Sequence, residues 1–175
     1  MLRDFNLLAT TSRGNERHMC NELCYLLEEE AGDPSPVASK TGIRGVVVAR
    51  TSLDPFQLIE DFRSLLRERP YEFRYALRIL PIERVIETDL EQIRQNAKEL
   101  SQKIGEEETF RVTVEKRFTS LHSRDFIEAA ATVIERVANL ENPDKILLIE
   151  VLGKLTGMSV IEPNQILSVL KEKML

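Results

Sequence analysis

Histidine and cysteine are scarce, two of each in 175 residues, and no apolar run approaches the length of about 20 residues that a membrane span needs. The N-terminal MLRDFNLLATTSRG has no long apolar core, so the chain is expected to be cytoplasmic and without an anchor. Cys20 and Cys24, four apart on an expected helix, suit neither a structural zinc site nor a redox C-x-x-C. His18 adds no third ligand, because positions two apart on a helix point away from each other. The two cysteines are therefore expected to pack, and no metal is expected. A Ser–His–acid site needs a positioned base, and although His122 lies beside Ser123, Ser123 is expected to cap the following helix, which commits its oxygen to the backbone, so nucleophilic catalysis is not expected. With no G-x-x-x-x-G-K-[ST] and no G-x-G-x-x-G, there is no nucleotide cradle, and no cofactor is expected. Aromatic-rich strands are missing too, which excludes base stacking on an exposed sheet of the RRM kind. Finally, there is no basic excess. The net charge is −5, and residues 1–87 carry 12 Lys+Arg against 14 Asp+Glu while residues 88–175 carry 12 against 15. A broad nucleic-acid surface is excluded, and RNA binding would have to rest on a local patch.

What is present is a soluble globular composition, 42% apolar and 30% charged, in a chain long enough to bury roughly 65–70% of its unfolded surface. FNLLATT (5–11) reads as a strand. A helix follows from near Asn15, with Met19, Leu23, Leu26 and Leu27 along one side and Gly32 as its stop. Asp33-Pro34-Ser35-Pro36 breaks the chain before a hairpin formed by Val37-Ala38, the turn SKTG and GIRGVVVART. Asp54, Pro55 and Gln57 open a second helix, whose stripe is Phe56, Ile59, Phe62, Leu65 and Leu66. RYALRIL (74–80) is a fourth strand, and the order βαββαβ predicts a ferredoxin-like α/β sandwich over residues 1–87.

The pattern restarts at residue 88. Thr88 and Glu91 predict a capping box for a helix through Ile93, Ala97, Leu100 and Ile104, and Glu106, Glu107 and Glu108 a solvated turn. FRVTVEK alternates as a strand, Ser123 to about Val137 reads as a helix, and Ile146–Ile149 form an apolar run suited to a strand covered on both faces. Strand, helix and strand predict a parallel βαβ unit. MSVIEP adds an antiparallel strand, and Ile166, Leu167 and Leu170 a short terminal helix. Glu150, inside LLIEVLG, calls for a cationic partner. Two places suit an anion: Lys116 and Arg117 beside the helix capped by Ser123, and Ser12-Arg13-Gly14-Asn15 at the start of the first helix.

FRVTVEKRFTSLHSRDFIEAAATVI, NPDKILLIEVLG and TGMSVIEP together resemble the THUMP domain, an RNA-binding module of tRNA-modifying proteins, over about residues 89–172. LLATTSRGNERHMCNELCYLL resembles the N-terminal part of stand-alone THUMP proteins that assist tRNA cytidine acetylation. The resemblance implies a ferredoxin-like domain (1–87) joined to a THUMP domain (88–175), the pair gripping the acceptor end of tRNA. It implies RNA contacts from Lys116, Arg117 and Ser123, with Arg13 and, more weakly, Lys40 and Arg44. Enzymes of the family add a catalytic domain for methyl transfer or sulfur insertion, and none is expected here. The expectation is therefore a non-enzymatic adaptor that presents tRNA to a cytidine acetyltransferase for N4-acetylcytidine formation. Two alternatives stand beside it: an RNA-binding subunit for thiolation or methylation, and a small acylphosphatase-like enzyme using Arg13.

Overall fold

A computed structural model describes residues 1–175. The first elements are β1 (Leu7–Thr10), α1 (Glu16–Tyr25), β2 (Val37–Lys40), β3 (Val46–Arg50), α2 (Pro55–Glu68), β4 (Arg78–Pro81) and β5 (Arg84–Glu87). There follow α3 (Leu90–Leu100), β6 (Thr109–Arg117), α4 (Ser123–Ala131), β7 (Val137–Ala138), β8 (Lys145–Leu152), β9 (Leu155–Ile161), β10 (Leu167–Ser168) and α5 (Val169–Lys173). Two units result, residues 1–82 with 165–175 and residues 83–164, each around its own apolar core.

In the first unit the strand order is β10-β4-β1-β3-β2, antiparallel at every pair. Period-two spacing puts Leu7 and Ala9, Val47 and Ala49 in one core with the 3–4-spaced stripes of α1 (Met19, Leu23) and α2 (Ile59, Phe62, Leu66). Asp54 caps α2 by accepting the Phe56 N–H at 2.9 Å. The carboxamide of Gln57 bonds Asp61 instead of completing a capping box. After Tyr25 the first helix relaxes to π geometry over Leu26–Glu30, and Gly32, at φ +82°, ends it. The fourth strand starts at Arg78 and not at residue 74. The N–H groups of Arg74, Tyr75 and Ala76 are taken by the buried Glu22 carboxylate at 2.7, 3.1 and 2.9 Å, so they cannot join a ladder. The terminal segment also differs from expectation. Leu167 and Ser168 first pair with Ile79 and Arg78, extending the sheet to five strands, and the helix begins only at Val169.

The second unit has the order β5-β9-β8-β6-β7, with β6 parallel to both β8 and β7 and the other pairs antiparallel. Leu147, Ile149 and Val151 of β8 meet Ile93, Ala97 and Leu100 of α3 and Phe126, Ala129 and Ala130 of α4. Asp89, not Thr88, caps α3, accepting the Gln92 N–H at 3.1 Å, while the Thr88 hydroxyl meets that of Thr156 at 2.8 Å. α4 stops at Ala131, short of the expected Val137. Thr132, Val133 and Ile134 are β-branched and poor at continuing a helix, and Val137–Ala138 instead covers the edge of β6. Glu108 is more than part of a solvated turn. It accepts from Lys145 Nζ at 2.5 Å and from the Gly105 N–H at 2.6 Å, and the Lys145 hydrogen bond holds its carboxyl below the usual range. No helix is long and apolar enough to cross a membrane.

Candidate nucleic-acid interface

The carboxyl ends of the parallel strands β6 and β8 lie side by side, with Lys116 opposite Val151 and Arg117 opposite Leu152. Alternation puts Arg117 on the face of β6 opposite Phe110, Val112 and Val114, the face that also carries Glu150 of β8. Its Nη1 meets Glu150 Oε2 at 2.9 Å, the two side chains being 18% and 2% exposed, so Arg117 is the cation that Glu150 requires. Lys116 is exposed and donates to the Leu121 carbonyl at 3.2 Å, which leaves two of its three N–H groups for other acceptors. Ser123 is not the cap of α4. His122 holds that position with extended backbone (φ −85°, ψ 153°), and Ser123 is the first helical residue, whose N–H no helical carbonyl can reach. Asp125 accepts the His122 N–H at 2.8 Å, so one negative charge already sits on the positive end of this helix. Of the expected phosphate seat, the exposed part is Lys116 with the first turn of α4, and Arg117 is engaged with Glu150.

At one end of the first sheet three loops are stitched together. Thr11 donates its N–H to the Gly45 carbonyl at 2.9 Å and its hydroxyl to the Tyr75 carbonyl at 2.8 Å, and Glu16 accepts the Gly45 N–H at 2.8 Å. That hydrogen bond is the main reason the Glu16 carboxyl is held below its ordinary range. Gly45 is required here, since at φ +78° a Cβ would lie 2.8 Å from the Thr11 carbonyl oxygen. The exposed side chains of Arg13 and Arg44 lie on these loops and that of Lys40 at the end of β2, and Lys40 and Arg44 line a shallow cavity of about 230 Å³ with Glu16 and Ile43. Sequence reasoning missed a third part of this end. His18 stacks on Tyr75 with ring centroids 4.8 Å apart and planes 12° from parallel, and the Arg74 guanidinium lies 5.7 Å from the Tyr75 ring. No spacing rule links positions 18 and 75; only the Glu22 anchor brings the loop of Arg74 and Tyr75 to α1. Cys20 and Cys24 are half-buried in the same unit, and burial pushes both thiols up.

The fold is α/β, and residues 87–161 match the THUMP domain family, so a THUMP domain is present. No curated protein matches the chain significantly. Solved structures share its fold. PH1313 from Pyrococcus horikoshii superposes with a TM-score of 0.63 at 19% identity, covering 91% of this chain and 55% of that one. TrmN from Thermus thermophilus does so at 0.62 and 16%, covering 92% and 47%. A 4-thiouridine synthetase, solved as an RNA complex with bound ATP, does so at 0.54 and 16%, covering 91% and 42%. The chain thus spans about half the length of the structures it matches. These comparisons correct the functional expectation. A synthetase is among the chains that share the fold, and so are chains described as methylases or methyltransferases. A non-enzymatic adaptor for a cytidine acetyltransferase is not the reading they support, and it is set aside together with the expectation that the chain is not itself an enzyme.

Proposed function

We propose that this chain is the RNA-binding part of a tRNA-modifying enzyme that methylates or thiolates its substrate. It would hold tRNA through phosphate contacts and present a nucleotide to a methyl- or sulfur-transferring catalytic unit. The observation that carries this reading is the THUMP domain at residues 87–161. The RNA complex of a fold-sharing 4-thiouridine synthetase supports it. Lys116 and the first turn of α4 from Ser123 supply phosphate contacts in the second unit, with Arg117 holding the strand end. Arg13, Lys40 and Arg44 supply them in the first. We read that first unit as ferredoxin-like, on the antiparallel order β4-β1-β3-β2 with helical crossovers α1 and α2, to which β10 is an edge addition. The test is mass spectrometry of tRNA nucleosides from a deletion strain. Loss of a methylated or thiolated nucleoside is the expected result, and an unchanged nucleoside profile sinks the proposal.

A further inference from the structure

Phe118 is the residue that the fold does not account for. It follows the last residue of β6 and is 78% exposed, although every other phenylalanine of the chain is buried or partly covered. Its backbone is left-handed, at φ +54°, the only non-glycine residue of the chain in that region. For a bulky side chain this conformation costs energy that glycine or asparagine would avoid. The position is fixed from below, because the Gly153 N–H, in the two-residue turn between β8 and β9, donates to the Arg117 carbonyl at 2.8 Å. A Cβ on Gly153 would stand 3.9 Å from the Phe118 Cβ, so the turn and the aromatic residue are in van der Waals range.

The setting selects the kind of occupant. Phe118 stands at the carboxyl ends of the parallel strands β6 and β8, the side of such sheets where ligands bind. Its chain neighbours are Lys116, Arg117, Thr119 and Ser120, and Lys154 is exposed at the tip of the adjoining turn. A protein-docking patch needs contiguous apolar surface at its centre, whereas here a single ring lies among cations. A flat π face beside positive charges matches an unpaired nucleobase with its phosphates.

We propose that Phe118 is a stacking platform for an unpaired base of single-stranded RNA, with Lys116 and Lys154 facing the flanking phosphates. This rests on the RNA-binding reading above and adds the form of RNA that is recognised. The chain contains no tryptophan, so Phe118→Trp introduces a single reporter. The full chain is titrated with a single-stranded oligoadenylate and with a blunt RNA duplex of equal phosphate number. Saturable quenching of Trp emission by the single strand and not by the duplex is expected. Phe118→Leu should weaken single-strand binding by about 5- to 100-fold, leave duplex binding unchanged, and keep the salt slope, since no phosphate contact is lost. Thermal melts confirm that the variants fold, and Phe118→Tyr should bind as wild type does. If Phe118→Leu binds the single strand as tightly as wild type while Lys116→Ala binds it less tightly, RNA binding stands and the stacking proposal falls, leaving the ring to a protein partner. If the wild type binds neither RNA, both readings fall together.

Discussion

Arg117, expected from the sequence to meet a phosphate, is engaged by a carboxylate of the neighbouring strand. Its partner Glu150 is almost wholly buried, and taking a cation from a buried carboxylate typically costs about 3–5 kcal/mol. Arg117→Ala should therefore lower stability by about 3 kcal/mol, and Glu150→Gln in the same chain should recover part of the loss. Lys116→Ala, at an exposed position, should change stability by no more than about 0.5 kcal/mol and reduce the slope of log K against log salt for tRNA by about 0.7–0.9. Denaturant unfolding and a salt titration of affinity on the three variants separate the roles. A Lys116→Ala slope equal to wild type would remove Lys116 from the interface. Asp33 makes a second prediction at this scale. Burial works against its charge, but hydrogen bonds from Thr51 Oγ1 (2.6 Å), the Ser35 N–H and Ser52 outweigh it, so the folded carboxyl sits below its ordinary value. A group depressed in the folded state stabilises above its unfolded pKa, so this contribution is full above about pH 4 and is lost as pH falls through the lower folded value. Melting curves should show a shallower loss of stability below about pH 4 in Asp33→Asn than in wild type, from a lower starting point.

Among the elements, α4 carries the sharpest test because its N-terminus is contested by Asp125 and any incoming phosphate. Ser123 is the first helical residue and not the cap, so Ser123→Ala should cost less than about 0.5 kcal/mol, where loss of a true cap would cost about 1. Asp125→Asn keeps an oxygen for the His122 N–H and removes the charge, so it should cost about 0.5 kcal/mol of dipole interaction. The same variant should bind tRNA more tightly at low salt, since a negative charge at the helix end is gone. Weaker binding in Asp125→Asn would show that this helix end does not meet phosphate. Affinity measured at two salt concentrations, with melts of both variants, decides the matter.

At the scale of the whole molecule, the last residues of the chain complete the first unit. Leu167 and Val169 are buried in its core, and Glu172 pairs with the largely buried Arg63 at 3.1 Å. Removing residues 165–175 exposes two apolar side chains worth about 1.5–3 kcal/mol each and takes an anionic partner from Arg63. The truncated chain should lose at least about 3 kcal/mol from the unfolding of its first unit. Hydrogen exchange resolved by segment checks this: protection in β1 and β4 should fall, while protection in β6 and β8 should not.

Periodicity sufficed for the local elements. The stripes of α1, α2 and α3, the alternation of β6 and the apolar run of β8 are properties of neighbours in sequence, and the need of Glu150 for a cation follows from one charge in an apolar run. Residue type also placed the cations Arg13, Lys40, Arg44, Lys116 and Arg117 at element ends. What each cation does was decided in three dimensions. Arg117 is drawn into an ion pair because it shares a sheet face with Glu150 on β8, and His18 meets Tyr75 because Glu22 captures three backbone N–H groups 52 to 54 residues away. The edge strands β5, β7 and β10 also came only with the fold. Short segments such as Val137–Ala138 and Leu167–Ser168 have no pattern of their own. They become strands because an open sheet edge offers hydrogen bonds that the isolated segment lacks. Sequence sets what a residue can do within a turn or two of its neighbours, and long-range pairing sets which of those possibilities is used.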